Sequence, residues 1–386
     1  MSVKTAPVYQ KRHSIAQIRH RCPQGPEALT RVAGLAGRLA GLAWPVERLA
    51  VLRKACDALL GLEAGPVGQP AFTLQTYVAE EIARLTDEQL PRYLYYRYRY
   101  EVYPQERVVD EFPPCLQVEP ASVCNYRCVF CYQTDAAFTA RASGQMGQMT
   151  LPLFERVIDQ AEGRCEAVTL ASRGEPLLCR DLARMLAYAR GKFLALKLNT
   201  NASVLTEALC HAILEAEVGT LVFSIDAAEE PAYSRFRVGG RLERVRANVE
   251  RFHEIRVRRY PGCRTITRVS GVQVSGTPGL DEMERAWGGL VDQVAFVTYN
   301  PWENTYERPV NDITTPCSDL WRRMFIWWNG TVNPCDVDYR STLAAGDAKT
   351  ESLSAIWTGE RYAALRRAHL ARQRSRLSPC NRCTVV

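Results

Sequence analysis

Cys124, Cys128 and Cys131 lie in the run Val123-Cys124-Asn125-Tyr126-Arg127-Cys128-Val129-Phe130-Cys131, a C-x3-C-x2-C spacing on a short loop. Three thiolates this close together can hold three irons of a 4Fe–4S cube and leave the fourth iron free to chelate a small molecule. A tetrahedral zinc site ordinarily takes a fourth protein ligand. The nearest histidines are far off in sequence, His13 and His20 upstream and His211 downstream. A zinc knuckle and a set of buried structural thiols are the competing readings.

A second thiol-rich stretch closes the chain, with Cys317, Cys335 and the pair Cys380-Asn381-Arg382-Cys383. Gly330 can turn a hairpin after Phe325-Ile326-Trp327-Trp328, and two strands around that turn would bring Cys317 and Cys335 together. Cys380 and Cys383 are one tight turn apart. Four thiolates in two pairs form a full ligand set for 4Fe–4S or for zinc. The other cysteines are Cys22, Cys56, Cys115, Cys165, Cys179, Cys210 and Cys263, and most read as small buried apolar residues. Cys165, Cys179 and Cys263 fall near strand ends or entry loops, where one could donate a hydrogen atom; Cys263 is the first choice.

The whole chain sets bounds on this chemistry. Its 386 residues allow two or three domains, and 47% apolar with 24% charged residues is the balance of an ordinary soluble protein. Fourteen cysteines suit a reducing cytoplasm, where thiolates stay available for iron. The N-terminal residues have no apolar signal region, and the Leu29–Leu62 stretch is broken by Arg31, Arg38, Glu47, Arg48 and Arg53, so it does not span a bilayer. A net charge of +7 is compatible with anionic small-molecule partners and does not call for nucleic acid or a membrane. The run Arg92-Tyr93-Leu94-Tyr95-Tyr96-Arg97-Tyr98-Arg99-Tyr100 could stack single strands. It reads better as an element that packs its tyrosines inward while the arginines reach solvent.

The elements that must position these residues follow from periodicity. Residues 1 to about 105 read as helical, with Leu29, Val32, Leu35, Leu39 and Leu42, then Leu49, Leu52, Cys56 and Leu59, at three- and four-residue steps. From about 112 short apolar runs alternate with amphipathic stretches, the pattern of βα units on a parallel sheet. The expected strands are Leu116–Glu119, Ala167–Ala171, Ala195–Asn199, Leu221–Ser224, Thr265–Val269 and Gln293–Val297, with helices at Leu151–Glu162, Leu182–Arg190, Leu205–Ala216 and Leu242–Arg256. The fold class is therefore α/β, a partial (β/α)6 TIM-like barrel. It carries an N-terminal helical region over 1–105, the barrel over 106–310 and a small C-terminal α+β domain over 311–386. The polar motifs follow the strands, where such a barrel gathers its active site.

The cysteine triplet, with Phe130 before its third member, resembles the signature of the radical S-adenosylmethionine (SAM) superfamily. The resemblance implies a SAM-binding 4Fe–4S cluster on Cys124, Cys128 and Cys131, electron-driven cleavage of SAM to methionine and a 5′-deoxyadenosyl radical, and abstraction of a substrate hydrogen. Ser172-Arg173-Gly174-Glu175-Pro176 is similar to the family's G-G-E-P motif, with Arg173 in place of the first glycine. It implies that Gly174, Glu175 and Pro176 hold the amino group of SAM. Asn199-Thr200-Asn201, Ser224-Ile225-Asp226 and Tyr233-Ser234-Arg235-Phe236-Arg237 resemble further SAM contacts. The implied cofactor-binding residues are thus Phe130, Tyr132, Gly174, Glu175, Pro176, Asn199, Asn201, Ser224, Asp226, Arg235 and Arg237, with Arg237 the better match by spacing for a carboxylate.

The C-terminal cysteines, with Gly346-Asp347 and Ser352-Leu353-Ser354-Ala355-Ile356-Trp357, resemble the SPASM/twitch domains of the same superfamily. They imply a second, auxiliary 4Fe–4S cluster on Cys317, Cys335, Cys380 and Cys383. The function implied is oxidation of an alcohol carbon on a sugar- or cyclitol-like substrate, with an external one-electron reductant of flavodoxin or ferredoxin type. A carbohydrate epimerase, a peptide maturase and a non-catalytic iron–sulfur or zinc binding protein are the alternatives. Substrate-side candidates are Arg173, Arg268, Tyr299, Asn300, Trp302, Glu303 and Asn304. Glu303 could take a proton and Cys263 could quench a substrate radical.

Overall fold

Chain order and burial build one continuous sheet around a lumen. The computed structural model describes residues 8–11, 14–21, 25–62 and 72–386. It opens with a strand, β1 (Ile15–His20), where the sequence reads as helical. Helices α1 (Gly25–Arg38), α2 (Val46–Leu60), α3 (Thr76–Ala83) and α4 (Leu90–Glu106) follow. The barrel then runs β2 (Cys115–Val118), α5 (Ala136–Thr139), α6 (Leu151–Ala161), β3 (Ala167–Leu170), α7 (Leu182–Ala189), β4 (Ala195–Thr200), α8 (Glu207–Glu215) and β5 (Thr220–Ser224). It continues through α9 (Glu230–Phe236), α10 (Leu242–Arg259), β6 (Ile266–Gln273), α11 (Leu280–Trp287) and β7 (Gln293–Thr298). The C-terminal part adds α12 (Asp319–Arg322), β8 (Arg323–Ile326), β9 (Thr331–Asn333), β10 (Gly346–Asp347), α13 (Leu353–Thr358) and α14 (Glu360–Leu370).

Strands β2 to β7 are parallel neighbours in chain order, so the expected partial barrel is present. Both of its edges are extended. β1 pairs antiparallel with β7, its small number of apolar side chains being enough for an edge strand. On the other side β8 pairs parallel with β2, from Cys115–Arg323 to Val118–Ile326. The C-terminal hairpin of β8 and β9 turns at Gly330, whose φ of 89° requires glycine. This hairpin is a direct continuation of the barrel sheet.

Outward-facing strand residues such as Leu116, Val168, Leu198, Leu221, Phe223 and Phe296 bury against the apolar faces of α6 to α11. The first residues of three strands, Cys115, Ala167 and Ala195, pack instead with Val32, Leu35, Leu52, Leu90 and Tyr93. Helices α1 to α4 therefore close the base of the barrel, at the strand N-termini. The Tyr/Arg run lies on α4, and its inner arginines do not reach solvent as the sequence reading expected. Arg97 is buried with Glu101 and ringed by Tyr77, Tyr96 and Tyr100, while Arg99 donates to Phe112 O at 2.8 Å and pairs with Asp110 at 2.7 Å. A buried guanidinium keeps its charge only among partners such as these.

Arg173 joins the barrel to the C-terminal part. Its guanidinium donates to both oxygens of Glu119, at 2.7 and 2.8 Å, to Gln145 at 2.9 Å and to Tyr339 O at 2.8 Å, and it lies 4.3 Å from the Trp327 ring. Both members of the Arg173–Glu119 pair are essentially inaccessible to solvent. Removing one partner of such a pair strands the other charge in the interior, at about 3–5 kcal/mol. Arg173→Met should lower the denaturation free energy by that order, and the double variant Glu119→Gln/Arg173→Met should recover part of it, as read by urea unfolding.

Candidate active site

The triplet loop leaves the C-terminal end of β2 and is held from two sides. On one side Gly174 presses against it so closely that a Cβ would lie 2.5 Å from Ala121 O, Ser122 C and Val123 O, and Glu175 N–H donates to Val123 O at 2.9 Å. On the other, Arg127 N–H donates to Val238 O at 2.9 Å and Val129 N–H to Phe236 O at 3.1 Å. The segments after β3 and α9 thus hold the loop through its backbone. Cys124, Cys128, Phe130 and Cys131 line a cavity of about 240 Å3 together with Gly174, Glu175, Asn199, Asn201, Ser224 and Arg237.

Burial pushes all three thiols up, Cys124 to about 12 with Glu175 adding to the rise, and Cys131 further because Cys128 and Cys124 are close by. A cation pulls the other way at each, and at Cys128 that pull, from Arg237, is second only to burial. Thiolates in such a place need a compensating positive charge, which an iron–sulfur core provides. Among the described residues no group of three or more His, Cys, Asp or Glu is arranged to hold a single metal ion. A 4Fe–4S cube asks for a wider arrangement, with one thiolate at each ligated iron corner.

The residues around the triplet present polar groups without partners. Glu175 is buried and accepts from Thr200 Oγ1 at 2.6 Å, Asn201 N–H at 2.7 Å and Leu177 N–H at 3.0 Å, yet burial still pushes its carboxyl up. Asn201 is bridged to Asn125 of the triplet loop at 3.1 Å. Arg237 is gripped by Asp226, whose other oxygen accepts Val272 N–H at 2.6 Å, and reaches Cys128 Sγ at 3.5 Å with the Phe130 ring 5.2 Å away. Ser172 Oγ, Asn199 Oδ1 and Gln133 Oε1 are buried at this cavity with no hydrogen-bond partner. An amino acid bearing a nucleoside offers the ammonium, carboxylate and hydroxyls that this set lacks. Arg235 is exposed and donates to Gly276 O at 3.0 Å, outside the cavity that Arg237 lines.

The C-terminal thiols are gathered by a residue the sequence reading passed over. Cys317 precedes α12, Cys335 follows β9, and Cys380 and Cys383 lie in the closing turn. The buried Arg374 donates to Cys380 O at 2.9 Å, Cys383 O at 2.6 Å, Val385 O at 2.7 Å and Thr315 O at 3.1 Å, drawing the segments together. Burial first, then neighbouring negative groups, pushes these thiols up: Asp319 raises Cys317, to about 12, and Asp338 with the other three cysteines raises Cys335. Lys11 sits 3.6 Å from both Asp319 and Asp336 and tethers the N-terminal segment to this site, where Tyr9 bridges Val385.

The two thiol sites meet at an aromatic wall. Tyr132 stacks on Trp302 at 6.4 Å and 18° and on Tyr339 at 5.2 Å and 30°. Trp302 in turn packs against the group containing Cys317, Cys335 and Cys383. Tyr299 and Asn300 also line the cavity. Arg173 also lines the cavity, but its guanidinium is taken up by Glu119, Gln145 and Tyr339. The Glu303 carboxylate is bound by Tyr299 Oη and does not line the cavity, and Asn304 is an exposed residue in a left-handed turn, φ 55°. Cys263 precedes β6 at the base of the barrel, where its sulfur accepts Thr265 N–H at 3.3 Å. Cys165 and Cys179 are buried away from the cavity, and Cys22 lies outside the described residues. This geometry separates the two arginines: Arg237→Ala should weaken SAM binding at least about tenfold by loss of a charge-assisted contact, whereas Arg235→Ala should leave it unchanged in equilibrium dialysis.

Comparison with known proteins agrees with this construction. Residues 118–273 match the family model of the radical SAM superfamily, and residues 317–384 match that of the SPASM iron–sulfur cluster-binding domain. The AdoMet-dependent heme synthase of Methanosarcina barkeri is 28% identical over 139 residues, 36% of this chain and 38% of that protein, so the match spans little more than a third of the relative's length. The crystal structure of Streptococcus suis SuiB bound to precursor peptide SuiA aligns over 79% of this chain and 76% of that one, with 15% identity and a TM-score of 0.50, a likeness of fold. BtrN in complex with AdoMet and 2-DOIA aligns over 72% of this chain and 95% of that one, with 16% identity and a TM-score of 0.49. No helix among the described residues is long and apolar enough to cross a membrane. The chain carries a radical SAM domain over residues 118–273 and a C-terminal SPASM iron–sulfur cluster-binding domain over residues 317–384, which together imply SAM, its 4Fe–4S cluster and additional iron–sulfur clusters.

Proposed function

We propose that this protein is a radical SAM oxidoreductase that oxidises an alcohol carbon of a sugar- or cyclitol-like small molecule. In this reading Cys124, Cys128 and Cys131 hold the SAM-binding cluster, and Cys317, Cys335, Cys380 and Cys383 hold a second one. When bound, SAM and the first cluster supply one-electron abstraction of a substrate hydrogen, and the second cluster supplies a nearby electron acceptor. An external reductant of flavodoxin or ferredoxin type, in a cytoplasmic setting, belongs to the same proposal. So does a division into an N-terminal region over 1–105, a barrel over 106–310 and an auxiliary domain over 311–386.

The chain's own residues divide the work. Glu175, fixed by Thr200, Asn201 and Leu177, is aimed to receive the SAM ammonium. Arg237, locked by Asp226, offers its remaining donors to the SAM carboxylate. Asn199 and Ser224 lie between the cofactor pocket and the barrel lumen, since both line the two cavities. Trp302 gives a flat face for a sugar ring and closes the site on the side of the second thiol set.

The observation that carries the oxidation reading is the place of Trp302. It lines the cavity and packs against the cluster of Tyr9, Val337, Cys383 and Val385 that Cys317 and Cys335 also join, which supports an electron acceptor at that site close to the substrate. Quenching by a thiol, as in an epimerase, lacks comparable support. Among the described residues, and apart from the triplet, the cysteine lining these cavities is Cys115, at the barrel base.

The test is incubation of the anaerobically reconstituted protein with SAM, a reductant and candidate sugars or cyclitols, read by mass spectrometry for 5′-deoxyadenosine and product. Oxidation gives a product lighter by a pair of hydrogens, with one SAM consumed per turnover. A product of unchanged mass carrying one solvent deuterium would reverse the assignment to epimerisation. Replacing Cys124, Cys128 and Cys131 together by Ala should remove about four irons per chain and abolish 5′-deoxyadenosine. The C-terminal iron should remain; zinc there instead would exclude the second cluster.

A further inference from the structure

Beneath the cofactor pocket the barrel encloses a second cavity of about 490 Å3. Tyr132, Asn199, Ser224, Arg237 and Trp302 line both, so the two spaces are continuous. Interiors of closed TIM barrels are filled by branched apolar side chains. Here one register row pointing into the lumen reads Gln117, Thr169, Lys197 and Thr220, and Arg268 enters from β6 beside Val222.

Among the described residues two cations in this wall form no salt bridge, with the Glu81 charge acting on both only from a distance. Lys197 makes no hydrogen bond or ion pair within the described residues. Arg268 is 5% exposed; its Nε donates to Gln293 Oε1 at 2.5 Å, while its Nη2 is buried without any partner. The carboxylates nearby are already engaged. Glu81 is bound by Tyr93 Oη, and Glu80 is held by His20 at 2.8 Å, Gln293 at 2.7 Å and Arg84 at 3.0 Å. Arg323, the third cation facing Lys197, is already paired with Tyr100 and 3.7 Å from Asp319. Burial, with Arg268 and Arg323 adding to it, pushes the Lys197 ammonium down to about 8. An isolated buried ammonium is expensive, and a group so perturbed by burial and like charge inside a cavity marks a candidate ligand site.

We propose that Lys197 and Arg268 bind an anionic group of the substrate, a carboxylate or a phosphate, deep in the lumen. The molecule then spans the continuous cavity with its reacting carbon at the cofactor pocket. The inference rests on the proposed function only for that upper end. A guanidinium and an ammonium facing one lumen recognise an oxyanion by charge and by directed N–H donors. The combined space suits a small sugar or cyclitol acid or its phosphate.

The test uses the full-length reconstituted protein, with inorganic phosphate and acetate as probes. At least one should raise the melting temperature of the wild type saturably at millimolar concentration, and the stronger of the two identifies the oxyanion. Lys197→Met should itself melt higher without ligand, because it removes an uncompensated buried charge, and should lose the anion-induced shift. Arg268→Gln should weaken the anion at least tenfold, with iron content unchanged in both variants. The proposal is overturned if neither anion shifts the wild type, or if the shift persists in Lys197→Met. Uncoupled SAM cleavage, measured as 5′-deoxyadenosine, separates this from the functional reading. Anion binding without SAM cleavage would sink the radical reading and leave the lumen site standing, and the converse would remove the lumen site alone.

Discussion

The buried pair of Arg173 and Glu119 is the interaction on which the site's assembly depends. Glu119 follows β2, Arg173 follows β3, and Tyr339 and Trp327 belong to the C-terminal part, so one guanidinium fixes three separate stretches of chain. Immediately after it come Gly174, which seats the triplet loop by backbone approach, and Glu175, which projects into the cofactor pocket. A charge this deep tolerates little displacement, since every lost partner leaves an unsolvated donor or acceptor. The departure from the family motif at Arg173 therefore has a structural reason. A glycine there would leave Glu119 without its counter-ion.

The continuity of the sheet sets the second constraint. Because β8 hydrogen-bonds directly to β2, the C-terminal hairpin is placed by ladder register, a rigid attachment. Trp327 and Trp328 then emerge beside Arg173 and Glu119, and Trp328 Nε1 donates to Gln145 O at 2.9 Å. The N-terminal helices act at the opposite end. By closing the base with Tyr93, Tyr96 and Tyr100 they turn an open half-barrel into a chamber, whose polar inner face is left for a ligand to complete.

Much of this was legible in the sequence. The strands β2 to β7 were, because short apolar runs alternating with amphipathic helices are the pattern of βα units on a parallel sheet, and boundaries shifted by only a few residues. The triplet, Gly174-Glu175-Pro176, Asp226 and Arg237 were legible because each sits next to a strand end or in a fixed local spacing. What escaped depends on distant partners. β1 is an edge strand whose few apolar residues matter only against β7. β8 reads as half of a hairpin, and nothing local announces its pairing with a strand about two hundred residues earlier. Arg173 looked available to substrate because its counter-ion is elsewhere in the chain. Cys263 was misplaced for a simpler reason: a residue just before a parallel strand lies at the base of the barrel, not its mouth. Arg374 and Lys11 carried no motif at all, since their partners are backbone carbonyls and acids gathered only by folding.

The account stands most directly on electron paramagnetic resonance of the reduced, reconstituted protein with and without SAM. It predicts two overlapping 4Fe–4S signals, of which one shifts on adding SAM and disappears when Cys124, Cys128 and Cys131 are replaced. A spectrum that ignores SAM, or a protein that takes up no iron at the triplet, would contradict it.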